Sequence, residues 1–213
     1  MKKRTLATMI VLVLAVCVVI GGTLAYLTAT TDTVENTFTV GHINATLDEK
    51  DVDESTSTED GARDTENKYK VIPGDKIEKD PTVHVLEGSE KCYVYICIDD
   101  GLNAAVAGSA TYTVGADWTK IGDTENGRSI YKYASVVDAS SEQKDLLVFD
   151  GVSIDGAVVT EQNIDDLDGR TIVVNAYLHQ SANVDEAVAE AAALAYFGTI
   201  TNPNTPPTPV PEP

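Results

Sequence analysis

Seven consecutive residues, Cys92-Tyr93-Val94-Tyr95-Ile96-Cys97-Ile98, leave this chain few folds to choose from. In extended backbone Cys92, Val94, Ile96 and Ile98 line one face, while Tyr93, Tyr95 and Cys97 line the other. Both faces are apolar, so the strand belongs at the centre of its sheet. Other short extended runs surround it: 81–86, 111–114, 118–121, 129–135, 146–149, 152–154 and 171–179. The last puts Ile172, Val174, Ala176 and Leu178 on a common face. Pro73-Gly74 marks a turn, and Asp150-Gly151 predicts a hairpin between the runs that flank it. Many short strands without alternating long helices make a mainly β fold, a sandwich or a barrel.

Toward the amino end, Val34, Asn36, Phe38 and Val40 alternate with Thr33, Glu35, Thr37 and Thr39, a pattern suited to a strand. The phase shifts at Gly41, after which Ile43, Ala45 and Leu47 share a face, so a bulge or kink is expected there. Residues 48–68 are rich in Asp, Glu, Ser and Thr without apolar periodicity and read as a solvated loop. Residues 101–110 are small and uninformative. One helix is expected, capped by Asn183, with Asp185 and Glu186 in its first turn and Gly198 at its end. Its apolar stripe would be Val184, Ala187, Val188, Ala191, Leu194 and Ala195, packed over a sheet.

The chain opens with Met1-Lys2-Lys3-Arg4, and no charged residue follows until Asp32. The apolar run from Leu6 to Ile20 fits either a cleaved signal peptide or a membrane anchor. Two details favour cleavage. Gly21-Gly22 ends the helical run, and Thr23 and Ala25 place small side chains where a signal peptidase needs them, with the cut before Tyr26. The expected organisation is a signal peptide over 1–25, one β-sandwich domain over 26–200 and a Pro-rich extended tail over 201–213.

The formal charge is −19, and removal of the basic leader makes the rest more acidic still. Such a field repels nucleic acid and anionic lipid, so neither is an expected partner, and membrane contact is confined to the leader. Cys92 and Cys97, five apart on one strand, lie on opposite faces and beyond disulfide reach.

Catalytic and metal signatures are missing. His42, His84 and His179 belong to no HExxH pair, and each sits in a predicted strand, where a surface or sheet histidine is the ordinary reading. His84 and His179 would meet only if their strands paired. Asp165, Asp166 and Asp168 before Gly169 lack the spacing of a calcium loop and read as a helix end and turn with exposed carboxylates. No nucleophile elbow, Ser-x-x-Lys pair or phosphate loop is present, and Trp118 reads as a core or edge aromatic. No catalytic residue, cofactor or metal is expected.

Several blocks carry a resemblance. GGTLAYLTATTDTVENTFTVGHINATLDE at 21–49, VIPGDKIEKDPTVHV at 71–85, SEKCYVYICIDD at 89–100, LLVFDGVSID at 146–155 and LDGRTIVVNAYLHQ at 167–180 are together similar to the TasA/camelysin family. The resemblance implies a jelly-roll-like antiparallel β-sandwich with short peripheral helices. It also implies processing by a dedicated SipW-type signal peptidase and export to the cell surface or extracellular matrix of a bacterium. The implied function is a homopolymer, a biofilm matrix fibre built by strand donation, in which Leu27, Val34, Phe38 and Val40 would enter a groove on the next subunit. Pairing of 34–40 within its own domain is the competing expectation. Two other readings are a secreted metalloprotease, by analogy with camelysin, and a monomeric cell-surface adhesin.

Overall fold

The computed structural model describes residues 41–53 and 61–199, all within a compact unit that begins at Gly41. The expected leader, the expected cleavage residues Thr23, Ala25 and Tyr26, the expected assembly residues Leu27, Val34, Phe38 and Val40, and the Pro-rich tail lie outside the described residues.

Among the described residues are eleven strands, two α-helices and one 3-10 turn. The strands are β1 Ala45–Lys50, β2 Arg63–Asp64, β3 Lys76–Ile77, β4 Thr82–Val85, β5 Cys92–Asp100, β6 Ala110–Thr111, β7 Trp118–Asp123, β8 Ser129–Tyr133, β9 Lys144–Leu147, β10 Val152–Ile154 and β11 Ile172–Gln180. Helix α1 spans Gly101–Ala105, helix α2 spans Glu186–Thr199, and the 3-10 turn spans Ile164–Leu167. Three antiparallel sheets result, ordered β2-β1-β4-β9, β11-β5-β8-β7 and β3-β10-β6. The fold is mainly β, a sandwich with short helices.

β5 organises the layers as its sequence predicts. It is central, paired with β11 on one side and β8 on the other. Val94, Ile96 and Ile98 face the main core with Val83 and Val85 of β4 and Leu146 of β9. Each is buried almost completely and contributes about 1.5–3 kcal/mol of transfer free energy. Tyr95 and Cys97 face the other way, joining Ile130 of β8 beneath Ala189, Ala193 and Phe197 of α2. The strand is apolar on both faces because a sheet covers one and a helix the other.

One flank of the sandwich is sealed. The Gly115 amide donates to the Val148 carbonyl at 2.8 Å, and Trp118 Nε1 donates to the Leu147 carbonyl, also at 2.8 Å. The Trp118 ring meets Tyr133 edge-on, so the segment entering β7 is fastened to the end of β9.

The expected turn at Pro73-Gly74 is present. The Asp75 amide bonds the Ile72 carbonyl and Gly74 has φ of 88°, which a glycine supplies without steric cost. Four expectations are corrected. Asp150-Gly151 does not close a hairpin: β9 belongs to the first sheet, while β10 pairs with β3 and β6, so the turn carries the chain between sheets. Glycine is needed there because a Cβ would stand 2.6 Å from Lys76 Cε and 3.1 Å from the Ile77 carbonyl. Residues 48–68 are not wholly loop, since the end of β1 pairs with β2 and outward charges hid the strand period. Residues 101–105 form α1, capped by Asp100, whose carboxylate accepts the Asn103 amide at 2.9 Å.

The fourth correction concerns α2. Asn183 does not cap it but lies in the preceding turn with φ of 58°, and the Asp185 carbonyl accepts the first helical amides. The helix continues through Gly198 to Thr199. Its buried face is Ala189, Ala193 and Phe197, while the expected Ala187, Val188, Ala191, Leu194 and Ala195 are exposed and only Val184 packs inward. In so alanine-rich a helix every face is apolar, and the period carries little information.

Candidate functional site

β11 is the outermost strand of its sheet, and no described residue pairs with its far side. In an antiparallel edge strand alternate residues direct N–H and C=O groups away from the sheet, a template for another extended chain. The nine residues IVVNAYLHQ hold no charge, no proline and no glycine, in a protein with 23% charged residues. Folded proteins usually blunt such edges with lysine, proline, bulges or brevity.

The other described edges are blunted. β7 has a register break between Lys120 and Gly122 and carries Lys120 and Asp123. β9 is four residues long, includes Lys144 and Asp145, and is fastened by Trp118. β2 has two residues, both charged. β11 alone is long, regular and uncharged.

Packing holds this edge rigid. Ile172, Val174, Ala176 and Leu178 lie against the main core, and Tyr177 lies against the α2 layer, 5.0 Å from the Tyr196 ring and 6.4 Å from that of Phe197. Residues 172–179 are each half-buried, covered above and below but not laterally.

Beside the first residues of β11 a groove of about 1140 Å³ separates it from β1 and the strip 64–71. That volume exceeds the roughly 300–1,000 Å³ of most small-molecule clefts and suits an extended ligand. Leu47, Val71, Ile77, Leu102, Val152 and Leu167 give it apolar patches, set among charged residues such as Asp64, Glu66, Lys68, Asp165 and Arg170. On the β1 wall, Lys79 Nζ bonds Glu49 Oε2 at 2.6 Å, both side chains being about nine-tenths buried. The Tyr69 ring lies 5.4 Å from the Lys79 ammonium. Burial first, and the Glu49 charge second, push the Tyr69 phenol far above its ordinary range.

The expected candidates for chemistry are dispersed. His42 precedes β1 rather than lying in a strand, and its carbonyl accepts the Glu90 amide at 2.9 Å. His84 and His179 occupy strands of different sheets and do not meet. His179 Nδ1 lies 2.9 Å from the Gln180 carbonyl oxygen, whereas His84 sits between the carboxylates of Asp145 and Asp48. That last arrangement has no sequence signature, because Asp48, His84 and Asp145 are brought together only by the β1-β4-β9 register. Asp165, Asp166 and Asp168 are exposed on the 3-10 turn and the bend at Gly169, in agreement with the turn reading. Cys92 and Cys97 are free and buried on opposite faces of β5, and desolvation pushes both thiols up to about 11. No group of three metal-ligating side chains is found among the described residues, and no described helix is long and apolar enough to cross a membrane.

Comparison of the chain with protein-family models, with curated proteins and with solved structures finds no match.

Proposed function

We propose that this chain is a secreted bacterial structural protein whose copies join into extracellular fibres, each accepting an N-terminal strand of the next along β11. The carrying observation is the long, uncharged, laterally open edge of β11 beside a groove that mixes apolar and charged side chains. Strand addition to such an edge gains main-chain hydrogen bonds, and pockets for alternate side chains fix the register. The proposed donor is residues 26–40, freed by a SipW-type peptidase, with Leu27, Val34, Phe38 and Val40 as its apolar anchors, the last three on one strand face. Fully extended, that segment reaches on the order of 50 Å at about 3.3 Å per residue, enough to leave one domain and cover the edge of another. A contact between two different surfaces, repeated head to tail, does not close and makes a filament.

The test compares three chains by electron microscopy: residues 26–213, residues 34–213, and residues 26–213 carrying Asn175→Lys. Asn175 is on the α2-facing side of β11, where a lysine guards the edge without entering the main core. Fibres are expected only from the first, with the unfolding free energy of the lysine variant changed by no more than about 0.5 kcal/mol. Equal fibres from all three would overturn the proposal.

A further inference from the structure

Away from the groove's interior, the outer face of the first sheet carries a connected set of charges centred on His84. The residue lies on β4 between Thr46 of β1 and Asp145 of β9, and its side chain is 12% exposed. Nδ1 is 2.6 Å from Asp145 Oδ1, and Nε2 is 2.9 Å from Asp48 Oδ1. An ionised carboxylate only accepts hydrogen bonds, and a neutral imidazole carries a single N–H. Both contacts are therefore hydrogen bonds only when the ring is an imidazolium; a neutral ring turns a lone pair toward one carboxylate.

The surrounding groups complete the arrangement. Asp48 also receives Arg63 Nε from β2, and Arg63 reaches Asp80 Oδ2 at 3.0 Å and the carbonyls of Asp48 and Asp80 at 3.1 Å each. On the β9 side Gln143 Nε2 donates to Asp145 Oδ1 at 2.7 Å. Two carboxylates thus face the ring, a guanidinium stands behind one of them, and the network touches all four strands of the sheet. The His84 hydrogen bond, with that of Gln143 second, holds the Asp145 carboxyl below the usual carboxylate range.

We propose that His84 is a proton-operated clip, which in its charged form ties β1 and β9 to β4 across the outer face of this sheet and on losing its proton gives up one of those two side-chain contacts, the backbone ladders remaining. Because Asp48 also lines the groove, release on the β1 side slackens the wall that faces β11. The sign is fixed by the chemistry. The contribution is present while the ring is charged and is lost as pH rises through the histidine range. On the acid side Asp145, whose carboxyl is held low, loses its contribution as pH falls through its folded value. The clip is therefore tightest between the carboxylate and histidine ranges.

The experiment uses residues 26–213, which keep the compact unit whole, at concentrations where the chain is unassembled. The urea midpoint of the wild type is expected to fall between about pH 5.5 and about pH 8, the span over which histidine changes charge. The midpoint of His84→Gln is expected to fall less than that of the wild type, and the difference is the share of His84, since His42 and His179 are common to both. Asp145→Asn, at an exposed site that tolerates change, gives the second readout. The pH-dependent fall of its urea midpoint is expected to be smaller than that of the wild type. A pH-dependent fall in His84→Gln, or in Asp145→Asn, equal to that of the wild type would overturn the proposal. Both readouts are taken on single molecules, so they stand or fall apart from fibre formation.

Discussion

Replacing Phe197 by alanine tests how α2 is attached. Its side chain is fully buried, touching the layer of Tyr95, Cys97 and Ile130, with the Tyr177 ring 6.4 Å away at 73°. Removing the ring forfeits its transfer free energy and leaves a cavity between helix and sheet, together about 3–5 kcal/mol. For a chain of this size, about 2–4 °C per kcal/mol gives a drop in Tm of about 6–20 °C. Leu194→Ala, three residues away and 37% exposed, forfeits only part of a leucine's transfer free energy, about 1 kcal/mol. The assay is urea unfolding followed by the fluorescence of Trp118, the single tryptophan, 6% exposed and distant in sequence from α2. The contrast between the variants is the informative quantity. Equal losses, or a larger loss at Leu194, would show that the helix presents the other face to the sheet.

Two further expectations concern buried side chains. Cys92 and Cys97, with thiols raised to about 11 and no solvent access, should resist iodoacetamide in the native protein at neutral pH and react in urea; mass spectrometry showing rapid native labelling of either would contradict their burial. Lys79→Met leaves Glu49 charged in a nearly dry site and should cost about 3 kcal/mol, most of it recovered in the Glu49→Gln, Lys79→Met double variant; strictly additive losses in urea unfolding would show that the two side chains do not act as a pair.

The parts of the fold written in long apolar runs were legible in the sequence. β5 and β11 are nearly continuous apolar segments, and each occurs where expected to within two residues. The turn at Pro73-Gly74 was legible because proline and glycine specify its backbone directly. What failed was information held in three dimensions. The face of α2 was lost in a run where alanine occurs at almost every angle around the axis. The β1–β2 pairing was masked by outward charges, which join Arg63 to Asp48 and Asp80 only once the chain has folded. Asp150-Gly151 has hairpin chemistry, yet the neighbouring strands answer to different sheets. The openness of β11 lay beyond sequence reasoning altogether, because an edge is defined by what does not pair with it.

The fastening of Trp118 and Gly115 onto the end of β9 has a consequence for architecture. It shuts one side of the sandwich, so that the opposite side is the single long receptive margin among the described residues. If copies join as proposed, one such margin takes one neighbour and leaves no second berth for a branch, so that rows grow as unforked lines whose two ends differ.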